Sequence, residues 1–212
     1  MKVTAVEVGG LAYSIVASGF AKLDRYDASQ FRTDVDKLDS LLTRSELLGV
    51  AVDDKHFKRA ARLGKMPTGS GHCTYLAGIT VTANITATVK WWEQFQRYHF
   101  KQIITSMSTM HMLREMVDNK TLEFDHKTSK DVIDSFLSVA SKLKDDELAY
   151  SCPTGLLLTG AIATNYLQLK NIWEQRHNHK LEEWWGDFCP WVTSLPFFTA
   201  LTGINNERRK ND

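Results

Sequence analysis

The chain has 212 residues, 43% apolar and 24% charged, proportions ordinary for a globular domain with its own core. A formal net charge of +1 excludes a strong whole-chain field for nucleic acid, and no apolar run reaches the roughly 18 residues of a membrane-spanning helix. Cys73, Cys152 and Cys189 lie far apart without paired spacing, which fits free thiols in a reducing compartment; no basic leader runs into an apolar stretch, so the cytoplasm is the expected location.

Taken in chain order, Lys2 to Val8 alternates apolar and polar residues and stops at Gly9-Gly10, which predicts a short strand. Leu38, Leu41, Leu42 and Leu48 recur at helical spacing and predict a helix over 36–48. Asp53-Asp54 precede a helix from His56 to Leu63, in which Arg62 reads as an ordinary helix-end charge. Gly64 to Gly71 reads as a loop, and Tyr75 to Asn84, rich in Ile, Thr and Val, as a strand. Thr86 or Thr88 is placed to cap a helix running to about His99, and Ile103 to Met107 is expected to be extended. Val132, Phe136, Val139 and Leu143 predict an amphipathic helix over 131–144. Gly155 to Thr164 is expected as a buried strand, followed by a helix from Asn165 to His177 and a further segment from Leu181 to Phe188. Pro190 and Pro196 are expected to break the end of the chain, and Arg208-Arg209-Lys210 to lie in a flexible basic tail from about 204. No linker or repeat divides the sequence, so residues 1–212 read as one α/β domain with a mixed sheet and packed helices. Six Trp and ten Phe point to extensive aromatic packing or an oligomer surface.

Gln94 and Arg97 are three apart and share a face, while Trp91, Phe95 and Tyr98 form a separate aromatic stripe. A guanidinium fork beside an amide suits a planar polar ligand or a phosphate; a solvated polar face is the plainer alternative. Asn165 and Arg176 are separated by about three turns, near 16 Å, on almost the same face, and Asn171 joins Gln168 and Gln175 in a second polar stripe. Such a helix suits a position between ligand sites or at a subunit contact, although Asn165 alone is a good N-cap. The loop Gly69-Ser70-Gly71-His72 offers backbone N–H groups and an imidazole, but it matches neither common phosphate-loop pattern and reads first as a turn. His99, His111, His177 and His179 lack metal-site spacing, and Ser106 and Ser108 lack the setting of an activated nucleophile.

In their order and spacing, His72, Gln94, Arg97, Ser106, Ser108, Asn165, Asn171 and Arg176 resemble the flavin-dependent thymidylate synthases. In that family a histidine precedes a strand, and the next helix ends in a Q-x-x-R-H-R type sequence. A Ser- and Tyr-containing extended segment comes next, and the C-terminal N-x-R helix carries a later Asn and Arg. The likeness covers roughly residues 55–190. It implies a homotetramer with FAD and a pyrimidine nucleotide such as dUMP bound between subunits, methylene-tetrahydrofolate as carbon donor and NADPH as reductant. By the resemblance, His72, Arg97, His99, Asn165 and Asn171 serve the flavin. Gln94, Ser106, Ser108 and Arg176 serve the nucleotide, with Arg176 polarising the pyrimidine ring as the catalytic residue.

The chain departs from the family pattern at several basic positions. Tyr98 and His99 stand where the family has the His and second Arg of R-H-R, Leu167 stands at its N-x-R arginine, and Met110-His111 align on its later Arg-Tyr pair. Removing one charge-assisted hydrogen bond weakens binding by about 1.5–3 kcal/mol unless Lys101, His99 or His111 substitutes. A divergent synthase, a relative acting on another pyrimidine nucleotide, a non-catalytic nucleotide-binding or sequestering protein, and a scaffold built on the aromatic-rich C-terminal third are the readings in play.

Overall fold

The computed structural model describes residues 1–205; the basic cluster expected in the tail lies outside the described residues, and Ile204, where that tail was expected to begin, is buried. Four strands, β1 (Lys2–Gly9), β2 (Thr80–Thr88), β3 (Gln102–Ser106) and β4 (Leu157–Asn165), form one sheet in the order β1-β2-β4-β3. The helices are α1 (Leu11–Ala17), α2 (Ala28–Leu48), α3 (Lys55–Gly64), α4 (Val89–Phe95), α5 (Thr109–Asp118), α6 (Lys130–Ala140), α7 (Asp145–Ser151), α8 (Tyr166–Arg176), α9 (Cys189–Ser194) and α10 (Phe198–Thr202). The α/β class is as expected, but the sheet is antiparallel and not mixed. Between β2 and β4 the register is explicit: Tyr166 N–H donates to the Ile79 carbonyl, Val89 N–H to the Leu156 carbonyl, and the Thr86 and Thr159 hydroxyls meet at 2.7 Å. Apolar patterning marks a strand but carries no sign of its direction.

The chain forms two compact units, one of Met1–Ala5 with Ala83–Ile162, the other of Val6–Thr82 with the described residues from Ala163. The boundaries fall inside β1, β2 and β4.

The first unit is built on the aromatic stripe of α4. Trp91 stacks on Phe95 with centroids 4.7 Å apart and meets Trp92 edge-on at 5.1 Å. Trp92 Nε1 donates to the Leu158 carbonyl at 3.0 Å, and its ring lies so near Gly160 that an added Cβ would sit 2.9 Å from it. Thr88 caps α4 by accepting from Trp91 N–H. The helix ends at Phe95 and not near His99; Arg97 N–H turns back to the Gln94 carbonyl, and Phe100 adopts a left-handed φ of 57°. A second cluster joins Leu113, Met116, Phe136, Ala140, Leu148 and Leu156. Here α6 stops at Ala140, short of the predicted 144, because Arg114 donates to the carbonyls of Ala140 and Leu143 and to Asp145. Val132 and Val139, expected to face inward, are 49% and 42% exposed; Phe136 and Ala140 carry the buried face.

In the second unit, α1 packs against α2 and α3, and α3 against α10. The Asp27 carboxylate accepts from Ser29 and Gln30 N–H and starts α2 eight residues before the predicted onset; Asp54 caps α3 in the same way. Cys73, Leu76 and Ile79 are buried at spacings of three, the period of a 3-10 turn, so Thr74–Gly78 is such a turn and β2 begins later than predicted. Asn165 caps α8 through Gln168 N–H, as the sequence allowed. Within α8 the polar residues are not all outward: Gln168 and Lys170 are buried, and the Lys170 ammonium donates to the Gly64 and Met66 carbonyls at 2.8 and 2.6 Å. Glu183–Phe188 is π-helical. Pro190 sits in the first turn of α9, where a missing N–H is harmless, so it breaks nothing; Pro196 falls between α9 and α10.

Candidate functional site

A cleft of the second unit has a volume of about 910 Å³. Its walls come from α1, the turn after it, α3 and the Gly71–Gly78 segment. Lys22, Arg59, Arg62 and His72 supply nitrogen groups; the Ser18, Thr74 and Tyr75 hydroxyls already donate to the Ile15, Gly71 and Ala60 carbonyls, which leaves those of Tyr13 and Ser14, and among the described residues no carboxylate lines it. That set suits an anion, because the cations attract charge and the Tyr13 and Ser14 hydroxyls can add hydrogen bonds.

His72 lines this cleft and is exposed on the loop that the sequence offered as a phosphate cradle. Arg62, read from sequence as an ordinary helix-end charge, lines the same cleft. Arg59 was missed. It lies half-buried on α3 and reaches back to α1, where Nη2 donates to the Val16 and Ile15 carbonyls at 3.0 and 3.4 Å and Nε to Ser18 Oγ at 3.4 Å. Those carbonyls lie at the end of α1, where Val16 also accepts from Gly19 N–H at 3.1 Å and Ile15 from Ser18 Oγ at 2.7 Å. Nη2 also lies 3.2 Å from His56 Nδ1. The His56 ring is buried, with Nε2 at 3.3 Å from Asp34 Oδ2 but without hydrogen-bond geometry. Arg59 lines both the large cleft and an adjoining cavity of about 140 Å³.

Burial, then the neighbouring Arg59 cation, lowers the His56 pKa below the ordinary histidine value, while Asp34 and Asp54 pull weakly the other way. The folded state thus binds fewer protons than the unfolded chain near this group. The stability this confers is present above the unfolded pKa and is lost as pH falls through the window below about 6.5. Thermal melts at pH 7.5 and 5.5 are expected to show a drop that is smaller in His56→Asn, which cannot titrate. Equal drops in both proteins would assign the acid sensitivity elsewhere.

The α8 candidates form a second group in this unit. Asn165 uses its Oδ1 as the helix cap and Asn171 Oδ1 accepts from Gln175 Nε2, so each amide keeps its N–H donors for a ligand. The Arg176 guanidinium lies 4.8 Å above the Trp184 ring, with the His179 ring edge-on to the same indole at 6.4 Å. In the first unit, Gln94 is half-buried at the end of α4, Arg97 and His99 are exposed on the turn after it, Ser106 is exposed at the end of β3, and Ser108 is the N-cap residue of α5. Lys101, offered as a substitute cation, sits 5.2 Å from the centre of the Phe95 ring. No described helix is long and apolar enough to cross a membrane.

No protein-family model and no curated protein matches this chain in sequence. Its fold has counterparts among solved structures. The flavin-dependent thymidylate synthase ThyX from Helicobacter pylori, complexed with FAD and dUMP, is similar with a TM-score of 0.68 at 13% identity, over 94% of this chain and 96% of that one. A second structure of thymidylate synthase X from the same organism, with FAD and dUMP, gives 0.67 at 13% identity over the same shares. The chain has the fold of the flavin-dependent thymidylate synthases. On the ThyX fold, then, this sequence places a cleft lined by two arginines, a lysine and a histidine and, among the described residues, by no carboxylate.

The two arginines of that cleft had only a generic sequence signal, which says nothing of what they meet. Arg59 and Arg62 are three apart on one helix face, and Ala12, Ile15 and Val16 form the i, i+3, i+4 apolar set of the helix opposite them.

Proposed function

We propose that this chain binds FAD and a pyrimidine deoxynucleotide such as dUMP, and carries out a divergent flavin-dependent one-carbon transfer, a methylation, on the nucleotide. The observation that carries the reading is the cleft around His72, Arg59 and Arg62, on a fold whose compared structures hold FAD and dUMP. A dinucleotide cofactor presents a diphosphate and ribose hydroxyls; guanidinium, ammonium, imidazole and hydroxyl groups without a carboxylate fit that chemistry. Bound flavin supplies the reducing equivalents, with NADPH and methylene-tetrahydrofolate as the co-substrates if the family reaction is kept. In this reading residues 1–212 act as one domain, four copies assemble in the cytoplasm, and His72, Arg97, His99, Asn165 and Asn171 hold the cofactor. Gln94, Ser106 and Ser108 hold the nucleotide, and the fixed charge of Arg176 stabilises negative charge growing on the pyrimidine ring.

A second reading is a non-catalytic nucleotide-binding or sequestering protein. Tyr98, His99, Leu167 and Met110 favour it, because they replace basic residues of the pattern the chain resembles. An absorbance spectrum of the purified protein separates the two. A flavoenzyme is expected to be yellow, to release flavin on denaturation and to scatter light as an assembly larger than one chain. A colourless protein that takes up no added FAD but binds dUMP would favour the second reading.

A further inference from the structure

We propose that Arg59 is a preorganised diphosphate-binding residue of the large cleft, and that Gly19 and His56 are the positioning residues that hold its guanidinium in place. The inference deepens the reading of this cleft as a cofactor site and rests on it.

The guanidinium is fixed on three sides. Ile15, Val16 and Ser18 accept from Nη2 and Nε, and His56 Nδ1 faces Nη2 from the adjoining turn of α3. These hydrogen bonds use Nη2 and Nε; Nη1 has no protein partner among the described residues. One nitrogen of a locked fork is thus left for a ligand; Arg59 lines the large cleft, while Val16, Gly19 and His56 beside its guanidinium line the smaller cavity that Arg59 also borders. A side chain held this way loses little further rotamer freedom on binding, which is how preorganisation raises affinity.

Gly19 shows that the seat is specific. Its φ of −90° is one that any residue adopts, so its backbone does not call for glycine. Space does: a Cβ added there would lie 2.6 Å from Arg59 Cζ and Nη2 and 2.9 Å from Nη1. A single methyl group would push the guanidinium away, since its three nearest atoms all belong to Arg59. Because the obstacle is the end of a flexible side chain, the fold is expected to survive the change.

His56 supplies the remaining acceptor. The charged groups that face it are Asp34 from α2 and Asp54, Lys55 and Arg59 from α3, while Arg25 and Asp27 line the smaller cavity it borders. In the tautomer with hydrogen on Nε2, Nδ1 accepts from Arg59, while Nε2 lies 3.3 Å from Asp34 Oδ2 outside hydrogen-bond geometry. Asparagine can present an oxygen in place of Nδ1; leucine cannot.

The test titrates the full chain with ADP and, separately, inorganic pyrophosphate, and follows FAD retention in parallel. Arg59→Gln is expected to weaken ADP binding about tenfold or more, the effect of removing a charge-assisted hydrogen bond. Gly19→Ala is expected to weaken it by a similar factor, yet to add almost nothing on the Arg59→Gln background, since both remove one interaction. His56→Leu is expected to weaken binding and His56→Asn to restore most of it. Pyrophosphate following the same order places the interaction on the diphosphate; an effect on ADP alone places it on the nucleoside and overturns the assignment. Wild-type affinity in Gly19→Ala, or an effect that adds fully to that of Arg59→Gln, would also overturn it while FAD retention left the cofactor reading standing. A wild type that binds neither ADP nor FAD would overturn both.

Discussion

Replacing Arg176 by lysine is expected to lower the kcat of flavin-dependent dUMP methylation by about 100-fold or more, with a smaller change in nucleotide affinity. The reason lies in how the guanidinium is held. It lies over the Trp184 ring at 4.8 Å, at the C-terminal end of α8, with His179 edge-on to the same indole. A planar fork stacked on an aromatic ring keeps its direction, so its charge is in place before charge develops on a substrate. Lysine keeps the charge but loses the plane and the stack. If the chain only binds nucleotide, the same variant weakens affinity and there is no turnover to lose. An active enzyme whose rate survives Arg176→Lys would remove Arg176 from the chemistry.

The largest expected loss of stability comes from Lys170→Met. The lysine is 2% exposed, and its ammonium holds the Gly64 and Met66 carbonyls at the end of α3. Methionine matches its length but leaves both acceptors without a donor, at about 1–3 kcal/mol each. Removing the buried charge offsets part of this, so a net loss of about 3 kcal/mol is expected, or a fall in Tm of about 6–12 °C. The segment held by Lys170 leads into the His72 loop, so ADP affinity should fall as well. An unchanged Tm would mean that water takes the place of the ammonium.

Local chemistry made much of the fold legible. Asp54, Thr88 and Asn165 cap the helices they precede because a side chain two or three residues away satisfies the free N–H groups. The runs of β2 and β4 read correctly as strands, apart from their ends, because their β-branched and apolar content is also local. What stayed hidden depends on partners distant in sequence. Arg59 meets α1 across 41 to 44 residues, and Lys170 meets its carbonyls across 104 and 106. Nothing within a window around either residue records those meetings. The early end of α6 has the same origin, since Arg114 approaches it from α5. His72 was legible through its place in an ordered pattern of residues, whereas the arginines beside it belong to no such pattern.

The order β1-β2-β4-β3 leaves β1 and β3 as the outer strands, and both are poor templates for a further strand. Ala5 in β1 has a left-handed φ of 50°, and the half-buried residues Val3 and Val8 are five apart, so the alternation slips by one across that point. Lys2 and Glu7 add charge to the same strand, and β3 is only five residues long. An incoming strand would find a kinked, charged row on one side and too few hydrogen-bonding positions on the other. Fibril growth by strand addition is therefore disfavoured from the native state, and a concentrated solution should stay free of cross-β deposits until the sheet itself comes apart.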